Sequence, residues 1–305
     1  MPMEGEGDDN QLYPAVIIVP DWDGVDGPTG YEAERAVMMA KEGPYVAMVA
    51  DIYGTEYTSV EEFDMKIKLS TKYRSDPDLF VGRIQAAINM LIDHPNVDTT
   101  QIFVAGYCLG GTGTIDYAFS NSTFEGVKAV VPIHGGLAPL RSIQSSDVEP
   151  YILILSGGVD DAHGNTTELE MHLDSTDATW EISRYSNAQH GFTKWGTAAY
   201  QEMADSRSWS SMMSLFRDLT AISDNTPTMT DDNDGEAMVV DGTDSSSESS
   251  SGKNDDEAMG QLASRSTFRT FCTEIESKNL RDYLMVMRRP RNQPTLSRIR
   301  VGHMD

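Results

Sequence analysis

The sequence is poor in cysteine, in basic residues and in long apolar runs, and each shortage excludes a class of protein. Two cysteines in 305 residues, Cys108 and Cys272, rule out a disulfide-stapled secreted scaffold, and no zinc-ligand spacing is present. No apolar run approaches the roughly 18 residues of a membrane span. The opening MPMEGEGDDNQ is acidic and polar, unlike the basic and apolar regions of a secretory leader. These features predict a soluble, cytoplasmic protein without a membrane partner. With 23 basic against 48 acidic residues and a net charge of −25, the surface repels phosphate backbones, which excludes nucleic acid as a partner of the main domain.

Hydrophobic residues make up 39% of the chain, enough to build a sizeable core. PAVIIVP (14–20), YVAMVAD (45–51), QIFVAG (101–106), VKAVVPIHGG (127–136) and YILILSGG (151–158) read as buried strands. TWEISRYS (179–186) alternates and reads as a strand near a sheet edge. Between them, YEAERAVMMAKEG (31–43), residues 79–93 and GGTGTIDYAFS (110–120) have helical character. Trp209, Met212, Met213, Phe216 and Leu219 mark a last amphipathic helix. Buried strands alternating with helices predict an α/β fold, a mostly parallel sheet covered on both faces. Ligands then bind outside the carboxyl ends of the strands.

The composition changes after Ile222. From Asp224 to Gly260 there are 11 acidic residues and one lysine, with many serines, a composition that predicts disorder. From Gln261 to Asp305 there are 9 basic and 4 acidic residues. The expected organisation is therefore a domain over 1–222, an acidic linker over 223–260 and a basic extension over 261–305. Phe268, Phe271 and Ile275 suggest one amphipathic helix within 266–289 of that extension.

The stretch VAGYCLGGTGT (104–114) sets Cys108 between Gly106 and Gly110, at the passage from strand to helix. Gly-x-Cys-x-Gly in that context matches a nucleophile elbow, in which neighbouring side chains would clash with the adjacent strand and helix. The sulfur then sits at the head of a helix, where the helix dipole favours thiolate. The amide of Leu109 would point at a developing oxyanion. A nucleophile needs a base, and the base an orienting acid, in the chain order nucleophile, acid, histidine. Of six histidines, His190 lies in a loop (SNAQHGFT) after the edge strand, where the base belongs. His134, in PIHGG, precedes the acid and reads as structural. His94 ends a helix, and His163, His172 and His303 lack context. Asp160 and Asp161 both follow YILILSGG, and Asp160 is favoured because it directly follows the turn 157–159.

In VPDWDGVDG (19–27), after the first strand, Trp22 is placed to supply a second oxyanion amide and Asp21 a carboxylate near the sulfur. Asp21, Asp23 and Asp26 do not have the spacing of a calcium loop, so no metal is expected.

GYCLGG (106–111) and AQHGFT (188–193) resemble signatures of the dienelactone hydrolase family, the carboxymethylenebutenolidases. PNVDTTQIFVAGYCLGG, VPIHGGLAP, LSGGVDDAH and ADSRSW resemble family patterns in the same order, so the resemblance spans about 14–221. It implies an α/β-hydrolase fold and a Cys-Asp-His triad of Cys108, Asp160 and His190. Leu109 and Trp22 would supply the oxyanion amides. It also implies hydrolysis of a small ester or lactone through an acyl-enzyme, without a cofactor, by a monomer or homodimer.

Three departures stand out. The family has a glutamate in the loop after the early strand, thought to help ionise the thiol. Here Asp21, one methylene shorter, takes that place. Lys194 falls where members that bind a substrate carboxylate have an arginine, while Arg74 and Arg83 have no anchored match. The strands that family members have before the position of Pro14 are missing. Two rival readings share these residues: a thioesterase or carboxylesterase on the same triad, and a non-catalytic α/β-hydrolase-like binding protein.

Overall fold

The computed structural model describes residues 11–27, 30–57, 60–120, 123–140, 148–160, 166–224, 282–288 and 294–300. Six strands are parallel: β1 (Tyr13–Val19), β2 (Val46–Val49), β3 (Val97–Tyr107), β4 (Val127–Ile133), β5 (Tyr151–Gly157) and β6 (Trp180–Tyr185). With β7 (Asp282–Arg288) and β8 (Pro294–Arg300) they form one sheet in the order β6-β5-β4-β3-β1-β2-β7-β8.

Both faces of the central strands are covered, which is why these strands are apolar throughout rather than alternating. In β1, Ala15, Ile17 and Val19 face one side and Val16 and Ile18 the other, all five fully buried. The first side packs against α2 (Phe63–Ser75), α3 (Pro77–Ile92) and α4 (Leu109–Ala118), through Tyr73, Phe80, Ile84 and Ile115. The second is covered by α1 (Tyr31–Glu42) and α6 (Glu202–Asp224), where Phe216 stacks on Phe103 at 4.3 Å between ring centroids. A short helix, α5 (Thr166–Leu173), precedes β6, whose pattern of exposure fits the edge position expected for it.

The chain passes from β1 to β2 on one side, then crosses back to place β3 on the other. Strand order therefore reverses between β1 and β3, and the loops leaving these two strands diverge to open a crevice there. The Asp21 loop and Cys108 leave the sheet at that point.

The expected helix over 266–289 is corrected over 282–288, the part of it that the structure describes. Residues 282–288 form β7, which runs antiparallel to β2 (Ala47↔Val286, Met48↔Met285) and pairs in turn with β8. The run Tyr283–Met287 combines aromatic, branched and apolar residues suited to a strand, and the outer edge of β2 supplies the unpaired backbone groups that a strand satisfies. The first half of that segment, Cys272, and the acidic linker beyond Asp224 lie outside the described residues. The last helix continues past Ile222 to Asp224.

Candidate active site

β3 ends at Tyr107 and α4 begins at Leu109, so Cys108 alone makes the turn. Its φ of 53° and ψ of −112° lie in a region that costs a non-glycine residue on the order of 1–3 kcal/mol. The flanking glycines make this possible. A β-carbon on Gly106 would collide with the Gly110 carbonyl, and one on Gly110 with the carbonyls of Val19 and Pro20 at the end of β1. The elbow is thus pressed directly against the loop that carries Asp21 and Trp22.

Asp160 and His190 come from adjacent strand ends. Asp160 closes a turn after β5 by donating its N–H to Gly157 O, while Gly158 N–H bonds Tyr185 O and Val159 N–H bonds Ala188 O. These bonds tie the Asp160 turn to the loop after β6, in which Asn187 and Gly191 take positive φ and His190 is presented. His190 Nδ1 lies 3.2 and 3.1 Å from Asp160 Oδ1 and Oδ2, and His190 Nε2 lies 3.0 Å from Cys108 Sγ. Asp160 is buried and His190 partly exposed. Burial works against the imidazolium, yet the bonds to Asp160 and Cys108 prevail and push the His190 pKa up to about 10. Among the three sequence candidates on this side, Asp160 makes this contact, Asp161 lies outside the described residues, and His134 sits close by.

Leu109 is the first residue of α4, so its amide is among those with no acceptor within the helix. Trp22 follows the two carbonyls that abut Gly110. Its own carbonyl accepts from Tyr53 Oη at 3.1 Å, and its ring meets Phe63 edge-on at 5.7 Å.

Asp21 and Lys194 meet each other. Lys194 Nζ lies 2.5 Å from Asp21 Oδ2 and 2.6 Å from Asp23 Oδ2, and Asp23 Oδ1 is paired with Lys66 at 2.6 Å. Asp21 Oδ1 accepts from the Asp23 amide at 2.7 Å. The Lys194 ammonium expected at a substrate carboxylate is therefore committed to two acids of the protein. Burial opposes its charge, but Asp21 and Asp23 hold its pKa above the ordinary lysine range. Burial raises the Asp21 carboxyl above its ordinary value, against the pull of Lys194.

Sequence reasoning missed Glu32. It is fully buried in the first turn of α1, its Oε1 accepts the Asp21 amide at 3.1 Å, and burial together with the nearby Asp21 charge raises its pKa to about 8. The signal was a carboxylate beside Ala33, Ala36 and Val37 on the inward face of YEAERAVMMAKE. Also missed was the buried Arg35. It donates to Tyr31 Oη (3.2 Å), Thr193 O (3.0 Å) and Asp205 Oδ1 (2.5 Å), and stands 4.1 Å from the Trp195 ring centroid.

Among the described residues no three His, Cys, Asp or Glu side chains cluster as a metal site, and no helix is long and apolar enough to cross a membrane.

Comparison with known proteins agrees with this architecture. The model of the dienelactone hydrolase family matches residues 6–220. A protein of Synechocystis sp. that carries the name carboxymethylenebutenolidase is 25% identical over 219 residues, covering 67% of this chain and 86% of the relative. A Bradyrhizobium protein named as a 2-oxo-3-(5-oxofuran-2-ylidene)propanoate lactonase is 24% identical over 215 residues, covering 67% and 83%. Among solved structures, the dienelactone hydrolase-like promiscuous phosphotriesterase P91 from metagenomic libraries superposes with a TM-score of 0.60 at 26% identity, over 70% of this chain and 88% of that one. With a matched model over most of its length and the same mostly parallel sheet, the chain belongs to the dienelactone hydrolase family, a family of ester- and lactone-hydrolysing enzymes.

Proposed function

We propose that the protein is a cysteine-dependent hydrolase of a small, activated ester or lactone, working through an acyl-thioester on Cys108. The observation that carries this reading is the unbroken line Cys108 Sγ–His190–Asp160, with contacts of 3.0 and 3.1 Å. Asp160 fixes the ring with Nδ1–H toward the carboxylate, and Nε2 holds the proton taken from the Cys108 thiol. The thiolate attacks the carbonyl carbon, and the oxyanion is met by the amides of Leu109 and Trp22. The intermediate collapses by expelling the alkoxide or enolate, which receives the proton from His190. His190 then draws a proton from water, which attacks the thioester and frees the thiol.

Thiolate is itself a good leaving group, so the intermediate goes forward only when the substrate's oxygen leaves more easily than sulfur returns. Enol-lactones and aryl esters meet that condition, and simple alkyl esters do not. Because the cysteine already contacts His190, this reading gives Asp21 a supporting part. Held by Lys194, it sets the charge beside the elbow rather than serving as the proton acceptor.

The test is a panel of enol-lactones, aryl esters, alkyl esters and thioesters offered to wild type and Cys108→Ala. Turnover confined to activated oxygen esters and lost in Cys108→Ala supports the reading. A preference for thioesters moves the substrate class, and equal turnover by the alanine variant sinks the mechanism.

A further inference from the structure

His134 is a buried histidine that the triad does not use, and its place is unusual. It follows β4 as Cys108 follows β3, and it too has a positive φ, 38°. The two strand ends turn toward each other. Gly111 and Gly135 pack backbone to backbone with no room for a β-carbon on Gly135, and Gly136 N–H donates to Thr112 Oγ1 at 2.8 Å. The 134–136 loop is thus built onto the elbow.

We propose that His134 is a positioning residue for the nucleophile, accepting the Cys108 amide at Nδ1 and tying the elbow, through Thr193, to the loop that carries His190. The inference rests on the triad reading above. The Cys108 N–H is shared between Ile133 O at 3.0 Å and His134 Nδ1 at 3.2 Å. An amide only donates, so Nδ1 is unprotonated and the ring proton sits on Nε2. That Nε2 lies 2.7 Å from Thr193 Oγ1. Thr193, three residues after His190, is held in turn by Tyr31 Oη at 2.6 Å and by Arg35, which donates to its carbonyl and pairs with Asp205. A continuous set of bonds therefore runs from α6 and α1, through Thr193 and His134, to the backbone of the nucleophile.

This linkage supplies a second constraint on the distance between Cys108 and His190, besides their direct contact. It also fixes the strained elbow, and with it the direction of the Leu109 amide. The role requires a neutral His134. Its surroundings favour that state: it is fully buried, with the His190 ring 5.4 Å away and Arg35 and Lys194 also close, and these hold its pKa well below the ordinary value. Tyr107 and Phe192 pack around the ring at 6.0 and 5.3 Å. When His190 takes up the thiol proton, its charge opposes protonation of His134, so the acceptor persists through acylation.

Two measurements test this. In unaltered protein, long-range 1H–15N correlation at His134 should report the neutral Nε2–H tautomer at neutral pH. An Nδ1–H tautomer would overturn the proposal, because that nitrogen then has no lone pair for Cys108 N–H. Among variants, His134→Phe keeps an aromatic ring but removes the acceptor, whereas His134→Asn places Oδ1 near the position of Nδ1 and tolerates the left-handed backbone. Burst acylation by an activated aryl ester should slow roughly 10- to 100-fold in the phenylalanine variant, with KM little changed and the pH dependence of acylation displaced. The asparagine variant should recover most of that loss. Equal slowing in both variants, in step with equal losses of Tm and with an unmoved pH profile, would assign His134 to packing alone. An unaffected phenylalanine variant would remove it from the reaction. Retention of a Cys108-dependent burst in every variant separates either failure from a failure of the triad.

Discussion

Lys194 reaches Asp21 at 2.5 Å across 173 residues of chain, joining the loop after the histidine to the loop after the first strand. Asp21 is almost wholly buried and Lys194 about a third exposed. The pairing commits the lysine to Asp21 and Asp23 and removes it from use as a free anion site.

Removing one partner should cost more than removing both. A buried pair broken on one side leaves an uncompensated charge, worth about 3–5 kcal/mol when fully buried, and the exposure of Lys194 reduces this to roughly 1–3 kcal/mol. Lys194→Met should lower denaturant stability by that amount, and Asp21→Asn added to it should restore part of the loss. Additive single and double variants would show that the pair carries no coupling.

Glu32 should make stability fall as pH rises. Its folded pKa of about 8 lies above the ordinary glutamate value of 4.5, so between these values the folded state holds a proton that the unfolded chain releases, and stability declines across that window. Glu32→Gln keeps an acceptor for the Asp21 amide while removing the ionisation. Its Tm should fall less than wild type between pH 5 and 8, and exceed it at pH 9. Parallel curves would contradict the assignment.

His190 has the same sign as Glu32, in a higher pH window. His190 is raised from 6.5 to about 10, so its pairing contributes stability fully below about pH 6.5 and loses it as pH rises through 10. Relative to His190→Gln, wild type should hold a Tm advantage at pH 6 that shrinks by pH 10.5. An advantage growing with pH would mean that the imidazole is neutral in the fold.

The elbow glycines should not tolerate a methyl group. Gly110→Ala forces a β-carbon onto the Val19 and Pro20 carbonyls, backbone atoms that cannot swing aside. Overpacking of this kind costs about 1–3 kcal/mol. Burst acylation should fall with stability, whereas Gly82→Ala, on α3 with open space around it, should leave acylation unchanged and raise stability by roughly 0.5–1 kcal/mol.

Residues whose place depends on a strand end were legible in the sequence. Cys108, Asp160 and His190 each follow a recognisable apolar run, and the parallel sheet brings such ends together. Pairings that depend on side-chain reach across the fold were not legible. Nothing in VPDWDG says that Lys194 will neutralise it, and nothing in PIHGG says that His134 will accept the amide of a residue 26 positions earlier. Phe63–Ser75 escaped notice because its apolar residues form no clear stripe: Phe63 and Ile67 are exposed, while Leu69 and Tyr73 are buried. The β7 strand was masked by the helical spacing of Phe268, Phe271 and Ile275 just before it.

The most direct test of the account is intact mass spectrometry of the protein quenched during turnover of an activated aryl ester. Wild type should carry one acyl group, mapped to Cys108 and released by hydroxylamine. Asp160→Asn should accumulate it more slowly, by a factor on the order of 10²–10⁴ by analogy with the orienting aspartate of serine hydrolases. Cys108→Ala should carry none and turn over no faster than background. An acyl group on another residue, or wild-type turnover by Cys108→Ala, would contradict the account.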